Sequence, residues 1–284
     1  MTTNPAPGTD AIATLAAALD RFLEAARRDA RRRVLSPIER RCTKALQRAF
    51  RRQGRAFVQR LEGLRERWPL READMPWGWE WESLFDDAAE ETFGDFAAPV
   101  QRAAGDALTA GALRALKNIR VGLDLSFDLQ NPRAVSYLAE HGAQLVAGVN
   151  ETTKERIRTL LAEALDGGWS YDQMAEALLD RFDQFAVGRP QLHIDSRAHG
   201  IAVTEIGNAY VEGNAIVARD LEDAGLEMEK AWSTMGDERV SDACRQNQAQ
   251  GWIAMSHLFQ SGHAQPLAHP YCRCDLLLRR KGSE

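Results

Sequence analysis

Along Leu226-Glu227-Met228-Glu229-Lys230-Ala231-Trp232-Ser233 the side chains alternate, whereas upstream they recur every three or four residues. Alternation is the period of a strand, and recurrence at three and four is that of an amphipathic helix. Just before this stretch, Ile194 to Leu221 places Ala198, Ile201, Ala202, Ile206, Ala209, Tyr210 and Ala215 at helical spacing, and Gly225 supplies a stop. Just after it, residues 234–284 read as loop-rich, with one more strand at Asp275-Leu276-Leu277-Leu278-Arg279. The pattern predicts a mainly α protein with a small α+β C-terminal domain over 188–284. An elongated helical N-terminal region over 10–187 and a flexible tail over 1–9 precede it.

The N-terminal region predicts a series of helices. Residues 10–33 carry Ile12, Leu15, Leu19, Phe22, Leu23 and Ala26 at helical spacing. Ser36-Pro37-Ile38-Glu39 reads as a capping box that opens a second helix, running to about Arg67 with Gly54 as a weak point. Met75-Pro76-Trp77-Gly78-Trp79-Glu80-Trp81 reads as a tryptophan-rich loop, with helices to follow at 82–98 and 99–120. Asn131-Pro132 opens another, to Gly148. Thr152-Thr153-Lys154-Glu155 and Ser170-Tyr171-Asp172-Gln173 read as capping boxes of two short helices joined at Gly167-Gly168. That pair has the outline of a helix-turn-helix, but Glu163, Asp166, Asp172, Glu176 and Asp180 make its exposed face acidic. A recognition helix needs basic and amide side chains, so an αα-hairpin is the better reading.

A chain of 284 residues with 44% hydrophobic and 27% charged content has the composition of a globular protein. It holds no apolar run long enough for a membrane span, and Met1 to Asp10 lacks the pattern of a secretory signal. The net charge of −5 hides an asymmetry. Arg27, Arg28, Arg31, Arg32, Arg33, Arg40, Arg41, Arg51, Arg52 and Arg55 crowd one stretch. Glu80, Glu82, Asp86, Asp87, Glu90, Glu91 and Asp95 crowd the next. Either the two segments pair, or the arginines face nucleic acid or an acidic partner.

Three of the four cysteines lie beyond residue 240, two of them in His269-Pro270-Tyr271-Cys272-Arg273-Cys274. Cys244, His269, Cys272 and Cys274 are soft ligands able to converge on one structural zinc, with His263 or His257 as substitutes. The competing reading makes the cysteines small buried hydrophobes. Cys42 stands alone on the basic helix and reads as incidental. Thr204-Glu205 sits in mid-helix, with Arg197 upstream on roughly the same face and able to pair with Glu205. Asp237 reads as an Asx-turn residue. No glycine-rich phosphate loop, nucleophile elbow, HExxH or zinc-deaminase signature is present, and no catalytic set can be assembled.

In order, the chain carries Arg197, Thr204-Glu205, Asn208 and Asn214, then Lys230-Ala231-Trp232-Ser233-Thr234 and Asp237-Glu238-Arg239-Val240. Cys244-Arg245-Gln246-Asn247, Gly251-Trp252-Ile253, Phe259 and His269-Pro270-Tyr271-Cys272-Arg273-Cys274 follow. This series resembles the phage Mu F-like minor head protein, or head morphogenesis, family. Ser241 stands where many members of that family carry a first cysteine of Cys-x-x-Cys. The resemblance implies a non-enzymatic virion component, located in the phage head and in the host cytoplasm during assembly. Its implied partners are portal and major capsid protein, with packaged double-stranded DNA and its ejection as a further connection. It gives Arg197, Thr204, Glu205, Trp232, Asp237, Arg239 and Phe259 structural roles, with Trp232 and Trp252 anchoring a small core. The cysteine segment would pin the C-terminus against the long helix. A nucleic-acid-binding module acting through the arginines and a metal-dependent hydrolase are the alternatives from other classes.

Overall fold

The computed structural model describes residues 7–67, 80–119, 126–187 and 197–282. Among them are six helices: α1 (Pro7–Arg67), α2 (Glu80–Asn118), α3 (Pro132–Asp166), α4 (Tyr171–Phe185), α5 (Arg197–Asp223) and α6 (Asp242–Ala249). Three strands, β1 (Met228–Ser233), β2 (Ile253–Ala254) and β3 (Asp275–Arg280), form one antiparallel sheet in the order β2-β1-β3. The fold is the mainly helical one with a small sheet near the C-terminus that the change of period predicts. None of the described helices is long and apolar enough to cross a membrane.

Several helices run through the signals expected to divide them. Pro37 lies inside α1 and Pro99 inside α2, so neither pair of expected helices is separate. A proline interrupts one backbone hydrogen bond of a helix, and the bonds on either side carry these two through. What changes at Pro37 is packing: the chain divides into compact units Met1–Pro37 and Ile38–Glu284. Thr152 and Thr153 cap nothing. Their hydroxyls turn back to Gly148 O (2.9 Å) and Val149 O (2.7 Å), and α3 continues beneath them. Asn131 does cap α3, Ser170 and Gln173 form the expected capping box on α4, and α3 and α4 follow each other as an αα-hairpin.

Past α5 the chain leaves the helix through Gly225, whose φ of +87° favours glycine. The hydrogen bond from Leu226 N to Leu221 O (3.0 Å) completes a Schellman-type end, and β1 follows within three residues. α6 was not expected within the loop-rich segment. Its cap is Ser241, whose hydroxyl accepts from Cys244 N at 3.3 Å. The tryptophan-rich loop lies outside the described residues apart from its end. There Trp81 is buried on α2 with the Arg158 guanidinium 5.9 Å from its ring centre. The break expected at Gly188-Arg189-Pro190 and the expected first residues of α5 also lie outside them.

Within the unit Ile38–Glu284, phenylalanines fill the spaces between helices: Phe50 against Phe96 and Phe185, and Phe57 against Phe85. Gly54 is no weak point but the place where α4 meets α1, since a Cβ there would stand 2.6 Å from Phe182. α2 and α5 cross with their backbones in contact. A Cβ on Gly213 would come within 2.0 Å of Leu108 O, and one on Gly111 within 2.0 Å of Tyr210 O. Beyond that crossing, Ala112, Ala115 and Ile119 of α2 share an apolar cluster with Val217, Leu221 and Met228. The sheet is thus seated on α5 and α2 together.

Candidate functional site

α5 positions the site. At its start Arg197 donates to Thr153 Oγ1 (2.5 Å) and Val149 O (3.0 Å) of α3, with its guanidinium 5.4 Å from the Phe50 ring centre and 5.1 Å from that of Phe185. It does not pair with Glu205 as expected: eight residues along a helix is about 12 Å of rise and some 80° of rotation. Glu205, buried on α5, is instead hydrogen-bonded to His141 Nε2 of α3. The next residue back, Thr204, accepts from Tyr271 N at 3.1 Å. Gly200 leaves room for the Tyr271 ring, because a Cβ there would stand 2.3 Å from the tyrosine hydroxyl. Tyr271 itself takes a left-handed φ of +62°, which turns the chain so that the residues after it enter the core. The cysteine segment therefore lies pinned against the long helix, and Arg273 reaches Glu39 of α1 at 3.5 Å.

That turn brings three sulfurs together. The Sγ atoms of Cys244, Cys272 and Cys274 all lie within 4.8 Å of one another, in side chains buried to 3% exposure or less. Cys244 Sγ stands 3.8 Å from Cys272 Sγ and 3.7 Å from His269 Nε2. His269 is half-buried, outside the mutual set and on the Cys244 side. Its Nδ1 lies 2.9 Å from Pro270 O; donating there leaves Nε2 as the nitrogen with a free lone pair toward the sulfurs. His263, named as a substitute ligand, is engaged with Ser261 at 2.9 Å, and His257 is exposed.

The three thiols do not share a proton affinity. Cys272 is held below the ordinary thiol range, mainly because the Cys274 side chain donates to it. Cys274 is pushed far above that range by the same hydrogen bond and by burial, and burial raises Cys244 as well. Cys42 lies apart from them: burial, with Glu205 adding to it, pushes its thiol up to about 12, as suits an inert core residue.

The remaining expected residues build the frame. Trp232 is fully buried against Phe259, ring centres 5.0 Å apart. Trp252 does not join that core: it is part-exposed, with the Arg279 guanidinium 4.4 Å over its ring. Asp237 Oδ1 accepts from Arg239 N at 3.2 Å, which is the Asx-turn. Lys230 went unassigned in sequence and is central here. It is 2% exposed, and its Nζ lies 2.7 Å from both Met255 O and Ala264 O, tying two loops to β1. Arg114 of α2 likewise joins the Tyr210 hydroxyl (3.0 Å) to Asp275, the residue after Cys274. Partners such as His141 for Glu205, 64 residues apart, leave no trace in local spacing.

The arginine-rich stretch divides. Arg41 pairs with Asp106 (3.1 Å), Arg51 with Asp183 (2.8 Å), and Arg52 with Asp95 (2.7 Å) and Glu91 (3.4 Å). Arg28 pairs with Glu24 four residues back, and Arg31 is buried. Arg27, Arg32, Arg33, Arg40 and Arg55 make no ion pair among the described residues.

The family described as Phage Mu protein F like protein matches residues 155–277. Over those residues, fewer than half of the chain, the sequence is similar to that family. No curated protein and no solved structure matches it. The matched stretch comprises the last third of α3, all of α4, α5 and α6, and most of the sheet, and it contains all three clustered cysteines. α1 and α2 fall outside the match, although α2 packs directly on α5, which lies inside it.

Proposed function

We propose that this chain is a minor head protein of a phage or prophage. On this reading it is a structural virion component that takes part in head morphogenesis beside portal and capsid proteins, and its work is done by occupying a defined place rather than by turnover. The match over residues 155–277 is the observation that carries the reading. The geometry agrees with it: Arg197, Thr204, Glu205, Trp232 and Asp237 each close a structural contact. The test is made on purified heads from a strain that produces the particle. The expected result is the protein in the heads at a few copies each, with defective or non-infectious heads after in-frame deletion of its gene. Complete, infectious heads lacking the protein would overturn the proposal.

Packaged DNA is a partner within the same proposal. Lys44, Arg48 and Arg102 line a cleft between α1 and α2, beside the paired Arg41 and Asp106, and make no ion pair themselves among the described residues. Together with Arg40 and Arg55 they offer the sequence-independent contacts that phosphates require. Binding of duplex DNA should then weaken by about 0.9 log units per log unit of salt for each phosphate neutralised. Salt-independent binding, or none at low salt, excludes DNA from the list of partners.

A further inference from the structure

We propose that Cys244, Cys272 and Cys274, completed by His269, form a closed, tetrahedral zinc centre that clamps the C-terminal segment to α6. The inference goes beyond a role in heads and stands or falls independently of it.

The spacing is that of ligands around one ion. Two thiolates each about 2.3 Å from a zinc in tetrahedral array stand about 3.8 Å apart, and a thiolate and an imidazole nitrogen about 3.6 Å apart. Cys244 Sγ lies 3.8 Å from Cys272 Sγ and 3.7 Å from His269 Nε2. The third sulfur is within 4.8 Å of both others. His269 presents its lone-pair nitrogen while its other nitrogen is engaged with Pro270 O at 2.9 Å, the outer contact that fixes a metal-binding tautomer.

A second observation comes from Trp232. Its indole nitrogen is buried without a hydrogen-bond acceptor, in the same apolar cluster as Cys274. A buried N–H left unmade is costly, and a metal-bound thiolate at Cys274 is an acceptor of the right kind. Three sulfurs and one imidazole nitrogen select a soft, tetrahedral divalent ion, and zinc is the common one. Binding exchanges the protons of the ligating thiols for the ion, and those protons pass to solvent. With four protein ligands the site keeps no open position, which makes it structural rather than catalytic. Ser241, where a Cys-x-x-Cys pair would put another sulfur, is occupied as the cap of α6, and His269 takes the fourth place.

The full chain, reduced and reconstituted with zinc, should retain about one ion after gel filtration, measured by mass spectrometry of the metal. Cobalt in its place should give the intense thiolate-to-metal charge-transfer band and the visible bands of a tetrahedral sulfur-rich site. These readings use the unaltered protein, so they do not depend on a variant that fails to fold. His269→Ala, at a half-buried position, should keep the fold and bind zinc at least about tenfold more weakly. Four results would each overturn the proposal: no retained zinc, a thiolate-free octahedral cobalt spectrum, an intact mass showing two of these cysteines joined as a disulfide, or unchanged zinc content in a Cys272→Ser/Cys274→Ser variant.

Discussion

The helical layer of the unit Ile38–Glu284 and the segment from β1 to β3 are held together by different means. Between the helices the contacts are aromatic and apolar, Phe50, Phe57, Phe85, Phe96, Phe182 and Phe185, and the ion pairs of Arg51 and Arg52 lie outside them on exposed side chains. Between the strands the apolar core is small, and polar side chains reach main-chain atoms across it. Lys230 holds Met255 O and Ala264 O, Gln248 accepts from Thr234 N at 2.8 Å, and Asn247 accepts from Ser261 N at 3.0 Å. A segment with two short helical or strand elements and long connections must satisfy its backbone through side chains. Stability in the first region is spread over many contacts, and in the second it is concentrated in a few residues.

The α2–α5 crossing, on which the β1–β3 segment is seated, should be the most sensitive place of all. Gly213→Ala puts a methyl group 2.0 Å from Leu108 O of α2, a backbone atom that cannot move aside without parting the helices. We expect a loss of about 3 kcal/mol or more, read as a fall in the urea midpoint, with helical content retained in whatever remains folded. A variant as stable as the original would mean that α2 and α5 do not cross so closely. Next in size comes Lys230→Met, which keeps the length of the side chain but removes both hydrogen bonds to the loop carbonyls. The expected cost is about 2 kcal/mol, with faster amide exchange confined to the loops around Met255 and Ala264. Exchange rising equally in α1 and α2 would contradict the idea that the polar ties are local.

Much of this architecture is readable in the sequence. The shift from helical to strand period at Gly225 marks the real boundary of α5 and β1, because local periodicity reports which face a segment buries. Ser170 and Asn131 announce helix starts, since a capping side chain acts on neighbours a few residues away. The same kind of signal misleads at Ser36 and Thr152, where tertiary packing keeps the backbone helical and Thr152 bonds back to Gly148 O. The cysteine cluster is readable because two members lie two residues apart, and a third is limited to the one other cysteine in the C-terminal region. What stays hidden is any contact set by the crossing of distant elements. His141 beside Glu205, Arg114 beside Asp275 and the two glycines of the α2–α5 crossing follow from the tertiary fold, which spacing along the chain does not encode.

The smallest expected effect concerns the tie between α3 and α5. The Glu205 hydrogen bond holds His141 above its ordinary pKa, while burial acts in the other direction and the nearby charges of Glu205 and Glu212 add to the rise. Tyr137 stacks on the imidazole, ring centres 4.9 Å apart, and stays a neutral phenol because burial pushes its own pKa well up. A histidine whose pKa is raised on folding binds its proton more tightly in the folded chain. Its stabilisation is therefore complete below the unfolded value of about 6.5 and disappears as pH climbs through the higher folded value. The pair is part-exposed, so its contribution should be about 1 kcal/mol or less. Urea midpoints of the original chain and of His141→Gln, followed from pH 5.5 to 9, should differ most at the acid end and converge as the imidazole loses its proton. Profiles that run parallel across that range would show that His141 and Glu205 are held together by packing alone, and that the polar economy of the β1–β3 segment does not extend to the helix beneath it.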